Sequence, residues 1–229
     1  MQPEKTLIPR KSKGYLHPSM QHPLMREWVS VDNFKKADII FPIFVHEDAE
    51  NRKQEIELLP DNYRWHFEDA PAMLKPLVEK GLRSVILFGV VSSEEKNERG
   101  TKASGNAVTK CIELLKNELP ELMIICDLCL CPYTDHGHCG ILKEDETIDN
   151  DKSLIRLGEI ALDYIEAGAH MIAPSDCMDC RIGYLKNLFR EKNLQIPVMS
   201  YGSKFCSKLY GPFRSACGSA PSKTGRNQY

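Results

Sequence analysis

Residues 123–140, which read M-I-I-C-D-L-C-L-C-P-Y-T-D-H-G-H-C-G, decide the fold class of this chain. They begin as a continuous apolar run, the pattern of a strand buried on both faces in a parallel sheet. Pro132 cannot continue a sheet ladder, so we expect the strand to run out into a loop there. Because side chains alternate along a strand, two thiols and a carboxylate are expected on one face beside this loop, namely Asp127, Cys129 and Cys131.

The cysteines of this stretch have the spacing of a metal site. Cys129, Cys131 and Cys139 follow the pattern C-x-C-x7-C, and such a set of thiolates suits a tetrahedral zinc ion. Buried cysteines can also act as small hydrophobic residues, which is the role we expect for Cys126 on the opposite strand face. A catalytic zinc keeps one position open for water or substrate, whereas a structural zinc takes a fourth ligand, which His138 could supply. Three thiolates at a strand end favour the open site.

Strand and helix patterns alternate along the rest of the chain. Apolar runs predict four more strands, at residues 39–45, 84–90, 171–174 and 197–201. Pro42 argues against a central position for the first of them. Helical spacing predicts one turn near residues 25–31 and four longer helices, over residues 68–80, 107–119, 154–167 and 182–192. This alternation indicates βαβ units and a parallel α/β sheet.

Reactive side chains follow the ends of the predicted strands. Cys129 and Cys131 follow one strand, Ser175 and Asp176 the next, and Lys204 the last. A (β/α)8 TIM barrel keeps its active site at this end of its strands. Five strand–helix units are visible, whereas a closed barrel needs about eight. The pattern alone therefore allows a smaller open sheet or the N-terminal part of a longer barrel.

Composition excludes several classes of function. The chain has 229 residues and a net charge of −2, with basic and acidic residues interspersed, so no patch for nucleic acid is expected. No apolar stretch approaches the ~20 residues that span a bilayer, and the N-terminus lacks the apolar core of a secretory signal. An odd number of cysteines, nine, with a cluster at ligand spacing indicates reduced thiols in the cytoplasm.

The chain is predicted to divide into an arm and a catalytic domain. Residues 1–35 are rich in Pro, Lys and His and show no sustained period. Such a segment cannot bury itself, so we expect an N-terminal arm that is mobile or packs on another subunit. Residues 36–229 carry the strand and helix pattern and form the domain with the candidate site.

Lys204 is the candidate nucleophile. Tyr201 and Phe205 flank it at the predicted barrel mouth, where partial burial would lower the lysine pKa and free the amine to attack a carbonyl. The alternative is a solvated surface charge, which is also our interpretation of Lys208. Asp127 could orient a substrate amine or transfer a proton, or it could hold a neighbouring cation, and Asp176 has the same two interpretations.

Several motifs together resemble one enzyme family. They are the C-D-L-C-L-C-P-Y-T-D-H-G-H-C-G run, Y-L-H-P near the start, A-P-S-D-C-M-D-C-R, V-M-S-Y-G-S-K-F and Y-G-P-F-R. From about Tyr15 onward the chain resembles the zinc-dependent porphobilinogen synthases, also called 5-aminolevulinate dehydratases. The cysteine run and the S-K-F lysine segment are highly specific to that family.

The resemblance implies a function and a set of roles. The family consists of lyases that condense two 5-aminolevulinate molecules to porphobilinogen with loss of water, in haem biosynthesis. It implies a TIM barrel, a Zn²⁺ ion on the three cysteines and a homo-octamer in which the N-terminal arm embraces a neighbour. Lys204 would be one of two lysines that form imines with substrate. Arg214 and Arg226 would hold a substrate carboxylate, with Tyr210 and Phe213 packed beside the substrate.

The chain departs from the family pattern in three respects. Many animal members have a cysteine beside a second zinc site where Gln228 stands here, which argues against a second site on His138. The family's D-M-M-D-G-R is D-C-M-D-C-R here, so Cys180 stands at a glycine position. Family members also continue past the position of Tyr229 with the last barrel strands and the second lysine, so the resemblance implies a barrel truncated after about five units. The alternative function is an inactive fragment that binds zinc or associates with full-length subunits. A zinc hydrolase would need His or Glu ligands, against the three-cysteine pattern.

Overall fold

A computed structural model describes residues 21–30, 34–202, 204 and 207–219. The strands are β1 (Ile40–His46), β2 (Lys53–Glu55), β3 (Tyr63–His66), β4 (Ser84–Gly89), β5 (Met123–Leu128), β6 (Ile141–Leu142), β7 (Ile148–Asp149) and β8 (Met171–Pro174). The helices are α1 (Pro23–Trp28), α2 (Ala70–Glu79), α3 (Ala107–Glu118), α4 (Asn150–Ala167), α5 (Arg181–Glu191) and α6 (Gly211–Cys217). Among these helices, none combines the length and the apolar character needed to cross a membrane.

The main sheet is mostly parallel, and its strands follow chain order from β1 to β8. Its six strands run β2-β3-β1-β4-β5-β8, and only β2 is antiparallel to its neighbour. Helices α2, α3 and α4 connect β1, β4, β5 and β8 in turn, so each helix leads to a strand that pairs beside the previous one. This confirms the α/β class with a parallel sheet, and barrel closure stays a prediction.

The last predicted strand is reduced to a single bridge. Val198 pairs with Ile172 in the parallel sense, and the Met199 amide donates to the Ile172 carbonyl at 2.9 Å. A strand over residues 197–201 is therefore wrong in extent, although the segment lies where the fifth unit should. The expectation that Pro42 keeps its strand out of a central position is also wrong, because β1 lies between β3 and β4. Strand β3 pairs with β1 only from Phe44 onward, so Pro42 has one strand neighbour rather than two.

Each face of the sheet has its own core. Helices α2 to α5 cover one face, where Ile124, Cys126 and Leu128 of β5 are buried. The opposite face, here called the inner face, carries an apolar cluster from four strands, which includes Phe44, Phe88, Ile125 and Met171. Helices α1 and α6 contribute buried residues to this second cluster. The inner face is therefore apolar between α1 and α6, and α6 lies beside the candidate site.

Part of the predicted arm packs on its own chain. Leu24 and Met25 of α1 are buried in the inner-face cluster, and the Trp28 indole donates to the Ala37 carbonyl at 2.7 Å. The expectation that residues 1–35 do not bury themselves is wrong for this helix, because its apolar side chains fit against the sheet. Residues 1–20 lie outside the described part of the chain, so the packing of the arm on another subunit stays a prediction.

Helix boundaries follow capping chemistry. Helix α4 begins four residues earlier than its apolar period predicts, because the Asp149 side chain accepts a hydrogen bond from the Lys152 amide. Gly168 ends the same helix with φ 114°, as the sequence predicts. Helix α2 begins at Ala70 after a short 3-10 turn, and Gly81 follows it with φ 106°.

Cys180 supplies a test of backbone strain. It precedes α5 with φ 61° and ψ 10°, the left-handed conformation that costs a residue with a Cβ about 1–2 kcal/mol. Its side chain is exposed. Glycine removes this strain but increases the entropy of the unfolded chain, so we expect Cys180→Gly to raise the free energy of unfolding by about 0.5–1 kcal/mol.

Urea denaturation of Cys180→Gly beside Cys180→Ala measures this effect. Alanine keeps the strain and loses only the thiol, so it is the matched control. An alanine variant as stable as the glycine variant would show that the backbone at residue 180 is not strained.

Candidate active site

The predicted site residues meet around one cavity. It measures about 410 Å³ and lies between the inner face of the sheet and α6. The strand ends contribute a carboxylate from β5 and the segment after β8, and α6 contributes an arginine and a phenylalanine. Six of the sequence-predicted residues line this cavity: Asp127, Cys131, Lys204, Tyr210, Phe213 and Arg214.

The three predicted metal ligands converge. The sulfur atoms of Cys129, Cys131 and Cys139 all lie within 4.8 Å of one another, and those of Cys129 and Cys131 are 3.2 Å apart. Zn–S bonds of about 2.3 Å at tetrahedral angles place sulfurs roughly 3.8 Å apart, so this donor set fits zinc with small side-chain adjustments. Cys129 and Cys139 are buried, whereas Cys131 also lines the cavity. The site can therefore hold a soft cation with one side toward the cavity.

Strand alternation alone does not bring these sulfurs together. Strand β5 ends at Leu128, so Cys129 lies beyond it and joins the helix-side core, while Asp127 keeps the inner face. The prediction that Asp127, Cys129 and Cys131 share one strand face is wrong for this reason. The loop after β5 folds back on itself, with the Tyr133 amide donating to the Leu130 carbonyl at 2.8 Å.

His138 is placed differently from the sulfurs. Its side chain is buried and its ring lies 5.5 Å from the ring of His136. In the part of the chain that is described, the cluster of possible ligand atoms contains the three sulfurs and not His138. The structure thus gives no support to His138 as a fourth ligand. Arg226 lies outside the described residues, so its contact with substrate stays a prediction.

Lys204 lies partly buried at the cavity. Its ammonium donates to the Ser175 carbonyl at 2.7 Å and lies 5.6 Å from the centre of the Tyr210 ring. Burial favours the neutral amine, but the negative charge of the nearby thiolates of Cys129 and Cys139 outweighs it and raises the lysine pKa. The sequence-based expectation of a lowered lysine pKa is therefore wrong, because it took account of burial and not of these sulfurs.

Two buried carboxyl groups flank the lysine. Burial raises the pKa of Asp127 to about 7, although the Ser175 hydroxyl and the Lys204 charge oppose this shift. Its Oδ1 atom is buried without a hydrogen-bond partner among the described residues. Such a group can exchange a proton near neutral pH, which favours the proton-transfer interpretation over an ion pair.

Asp176 fits the other interpretation better. Burial raises its pKa to about 7 as well, against the hydrogen bond from the Met178 amide and the charge of Arg181. The Oδ1 atom accepts from Met178 at 2.8 Å, and Oδ2 lies 3.5 Å from the Arg181 Nε atom. Asp176 therefore holds a backbone turn and a neighbouring cation.

Helix α6 presents a cation and a ring to the cavity. The ring of Phe213 packs against those of Phe44 and Phe88, at centroid distances of 5.7 and 6.0 Å. The Nε atom of Arg214 is buried without a hydrogen-bond partner among the described residues. A buried guanidinium donor with nothing to donate to is costly, so an anionic ligand in the cavity would satisfy it.

Sequence reasoning missed some of the lining residues. Cys177 and Cys217 both line the cavity, one after β8 and the other at the end of α6. Cys177 forms a C-x2-C pair with Cys180, which is a signal of ligand spacing, but Cys180 does not line the cavity. Cys217 has no such spacing to another cysteine, so the sequence held no signal for it. Ser175 was placed at a strand end, and its hydrogen bond to Lys204 became visible only in the fold.

Comparisons with known proteins point to one family. The family model for delta-aminolevulinic acid dehydratase matches residues 15–229. The delta-aminolevulinic acid dehydratase of Dictyostelium discoideum is 50% identical over 220 residues, which cover 94% of this chain and 66% of that protein. The Bos taurus protein of the same name is 42% identical over 222 residues, which cover 95% of this chain and 67% of that protein.

A solved structure shares the fold. The delta-aminolevulinic acid dehydratase of Toxoplasma gondii, in complex with the reaction product porphobilinogen, superposes with a TM-score of 0.82 at 26% identity. The match covers 96% of this chain and 63% of that one, so the chain spans about two thirds of the length of the relatives it matches. With the family model over nearly the whole sequence, these matches show that the chain belongs to the delta-aminolevulinic acid dehydratase family.

Proposed function

We propose that this chain is a porphobilinogen synthase, a lyase that condenses two 5-aminolevulinate molecules to porphobilinogen with loss of water. The observation that carries the proposal is one cavity that holds the Lys204 amine, the Arg214 guanidinium and an edge of the cysteine cluster. Family membership supports it, and so does the porphobilinogen bound to the Toxoplasma relative.

Lys204 is the nucleophile in this proposal. Its neutral amine attacks the keto carbon of 5-aminolevulinate, and the carbonyl oxygen leaves as water when the imine forms. The Ser175 carbonyl, 2.7 Å from the amine, fixes the direction of the lysine side chain. Asp127 exchanges the protons that this step requires, because its pKa of about 7 lets it be an acid or a base at neutral pH.

Substrate position depends on α6 in this proposal. Arg214 binds the carboxylate of 5-aminolevulinate through its planar fork, which matches a carboxylate bidentately. Phe213 and Tyr210 enclose the carbon chain between that carboxylate and the keto group. Positioning of this kind turns a reaction between two molecules into one within a single complex.

The cysteine cluster holds the metal in this proposal. Cys129, Cys131 and Cys139 are the zinc ligands, supported by sulfurs that all lie within 4.8 Å of one another. When bound, zinc supplies Lewis acidity beside the cavity and offsets the thiolate charge that favours protonated Lys204. Because Cys131 lines the cavity, it places the thiolate charge of the cluster at the edge of the cavity.

Two further features of the family are proposed for this chain. We infer a homo-octamer from the resemblance, and light scattering of the purified protein tests it. We infer a cytoplasmic location because the eight cysteines of the described residues are all free thiols, as a reducing compartment favours.

Porphobilinogen formation by the purified chain tests the proposed function. With Zn²⁺ and 5-aminolevulinate, we expect product from the wild type and a KM about 10- to 100-fold higher from Arg214→Met, because a charged hydrogen bond to the carboxylate is lost. Arg190→Met, on the exposed surface of α5, is the control and should leave KM unchanged. Zinc-loaded wild type that forms neither product nor a trapped imine would refute the proposal.

A further inference from the structure

Helix α6 is too short to hold its own position. It has seven residues, and isolated helices of that length do not form in water. Yet it carries Phe213 and Arg214, which both line the cavity. Its position must therefore come from contacts with other elements, so the groups that bind it set where the arginine lies.

Arg64 of β3 binds the carboxyl end of this helix through two hydrogen bonds. Its Nε atom donates to the Ala216 carbonyl at 2.7 Å, and its Nη2 atom donates to the Ser215 carbonyl. The last carbonyls of a helix lack partners within the helix and carry partial negative charge, so a cation there is favourable. One planar guanidinium thus binds two successive carbonyls, a geometry that an ammonium group cannot reproduce.

The sheet fixes the direction of Arg64. It pairs with Phe44 across β1 and with Gln54 across β2, so its side chain shares the inner face with the ring of Phe44. The Gln54 side-chain oxygen accepts from its Nη1 atom at 3.3 Å. Gln54 in turn donates to Asp48 at 3.1 Å, so the side chain that accepts from Arg64 is itself fixed by a hydrogen bond.

Lys96 holds the same end of α6 from another direction. Its ammonium donates to the carbonyl of Gly218 at 2.6 Å, directly after the helix. The next residue, Asn97, bridges to Thr134 in the loop that also carries the cysteine cluster. Lys96 therefore connects α6 to the segment that holds the metal ligands.

We propose that Arg64 and Lys96 are positioning residues, which fix Arg214 for the substrate carboxylate by binding the carboxyl end of α6. The inference rests on the proposed function for the identity of the substrate. The contacts of Arg64 and Lys96 with the end of α6, here called the clamp, can be measured without substrate. Both residues lie more than 100 positions from α6 in sequence, and these hydrogen bonds go to backbone carbonyls of α6 and of Gly218. They act through Arg214 and not on the reacting atoms.

Two measurements on the full chain test this proposal. The first is hydrogen exchange of residues 209–219 without substrate, for the wild type, Arg64→Met, Arg64→Lys and Lys96→Met. The second is the concentration of 5-aminolevulinate that gives half of the maximal borohydride-trapped adduct on Lys204. Arg52→Met and Lys102→Met are matched controls, since Arg52 bonds to Glu68 and Asp69, and Lys102 is exposed on the same loop as Lys96.

We expect Arg64→Met to speed exchange in residues 209–219 by about 10-fold or more and to raise the half-saturating concentration about 10-fold. The adduct yield at saturation should stay the same, because Lys204 is untouched. Lys96→Met should shift both measurements in the same direction, and Arg64→Lys should recover only part of the loss. Neither control should move either quantity.

The two ways of failing are distinguishable. Exchange and half-saturation that match the wild type in Arg64→Met and Lys96→Met would overturn the inference. So would a lower adduct yield at saturation with half-saturation unchanged, since that result marks damage to Lys204 instead of Arg214. A wild type that gives no adduct at any concentration would sink the proposed function, and hydrogen exchange alone would then decide whether the clamp exists.

Discussion

Replacing Lys204 with methionine is expected to abolish the adduct that borohydride fixes between 5-aminolevulinate and this chain. Methionine keeps the length and apolar stem of lysine but has no amine, so no imine can form on it. The cavity would keep its shape, because Lys204 is bound through one hydrogen bond to the Ser175 carbonyl. Porphobilinogen formation should fall by more than about 1,000-fold.

Mass mapping of the trapped protein is the decisive measurement. Wild-type protein should carry the adduct on the peptide that contains Lys204, and Lys204→Met should carry none. Lys208→Met is the matched control, as the next lysine in the sequence, and should label like the wild type. An adduct that maps to Lys208, or one that persists in Lys204→Met, would show that the nucleophile was assigned to the wrong residue.

The position of Lys204 could be read from the sequence because it depends on regular structure. The apolar runs that became β4, β5 and β8 are short, continuous and separated by helical periods, which indicates parallel strands. In such a sheet, residues that follow different strands gather at one edge. That rule brought Asp127, Ser175 and Lys204 to one cavity without any knowledge of the contacts.

What the sequence could not show depends on loops and on charge. The cysteine sulfurs meet because the loop after β5 folds back, and strand alternation, which ends at Leu128, does not describe that fold. The pKa of Lys204 depends on thiolates that approach it from this loop, so burial alone predicted the wrong direction. Contacts such as Arg64 to the Ala216 carbonyl span 152 residues and involve backbone groups, which leave no side-chain pattern to find.

Replacing Cys131 with serine is expected to remove most of the zinc affinity. The three sulfurs lie within 4.8 Å of one another, so a cation bound by all three loses a soft thiolate and gains a hard hydroxyl that zinc binds weakly. Substitutions of residues that only orient metal ligands cost about 10- to 100-fold in metal affinity, so loss of a ligand should exceed 100-fold. Wild-type protein purified under reducing conditions should hold one zinc ion per chain.

Cys177→Ser is the matched control for this substitution. Cys131 and Cys177 are both partly buried thiols that line the cavity, but only Cys131 belongs to the sulfur cluster. Serine at residue 177 should therefore leave the zinc content and the affinity unchanged. Elemental analysis gives the stoichiometry, and competition with a chelator of known affinity gives the dissociation constant.

Thermal unfolding supplies a readout that does not depend on turnover. Free zinc at 1,000 times its dissociation constant stabilises a folded protein by about 4 kcal/mol, because the ion binds the native state and not the unfolded chain. Wild type and Cys177→Ser should show this rise in unfolding temperature with zinc, whereas Cys131→Ser should lose most of it at the same concentration. A Cys131→Ser protein that binds zinc as tightly as the wild type, with the same thermal shift, would show that the ion is held elsewhere and that the cysteine cluster is a packed group of thiols.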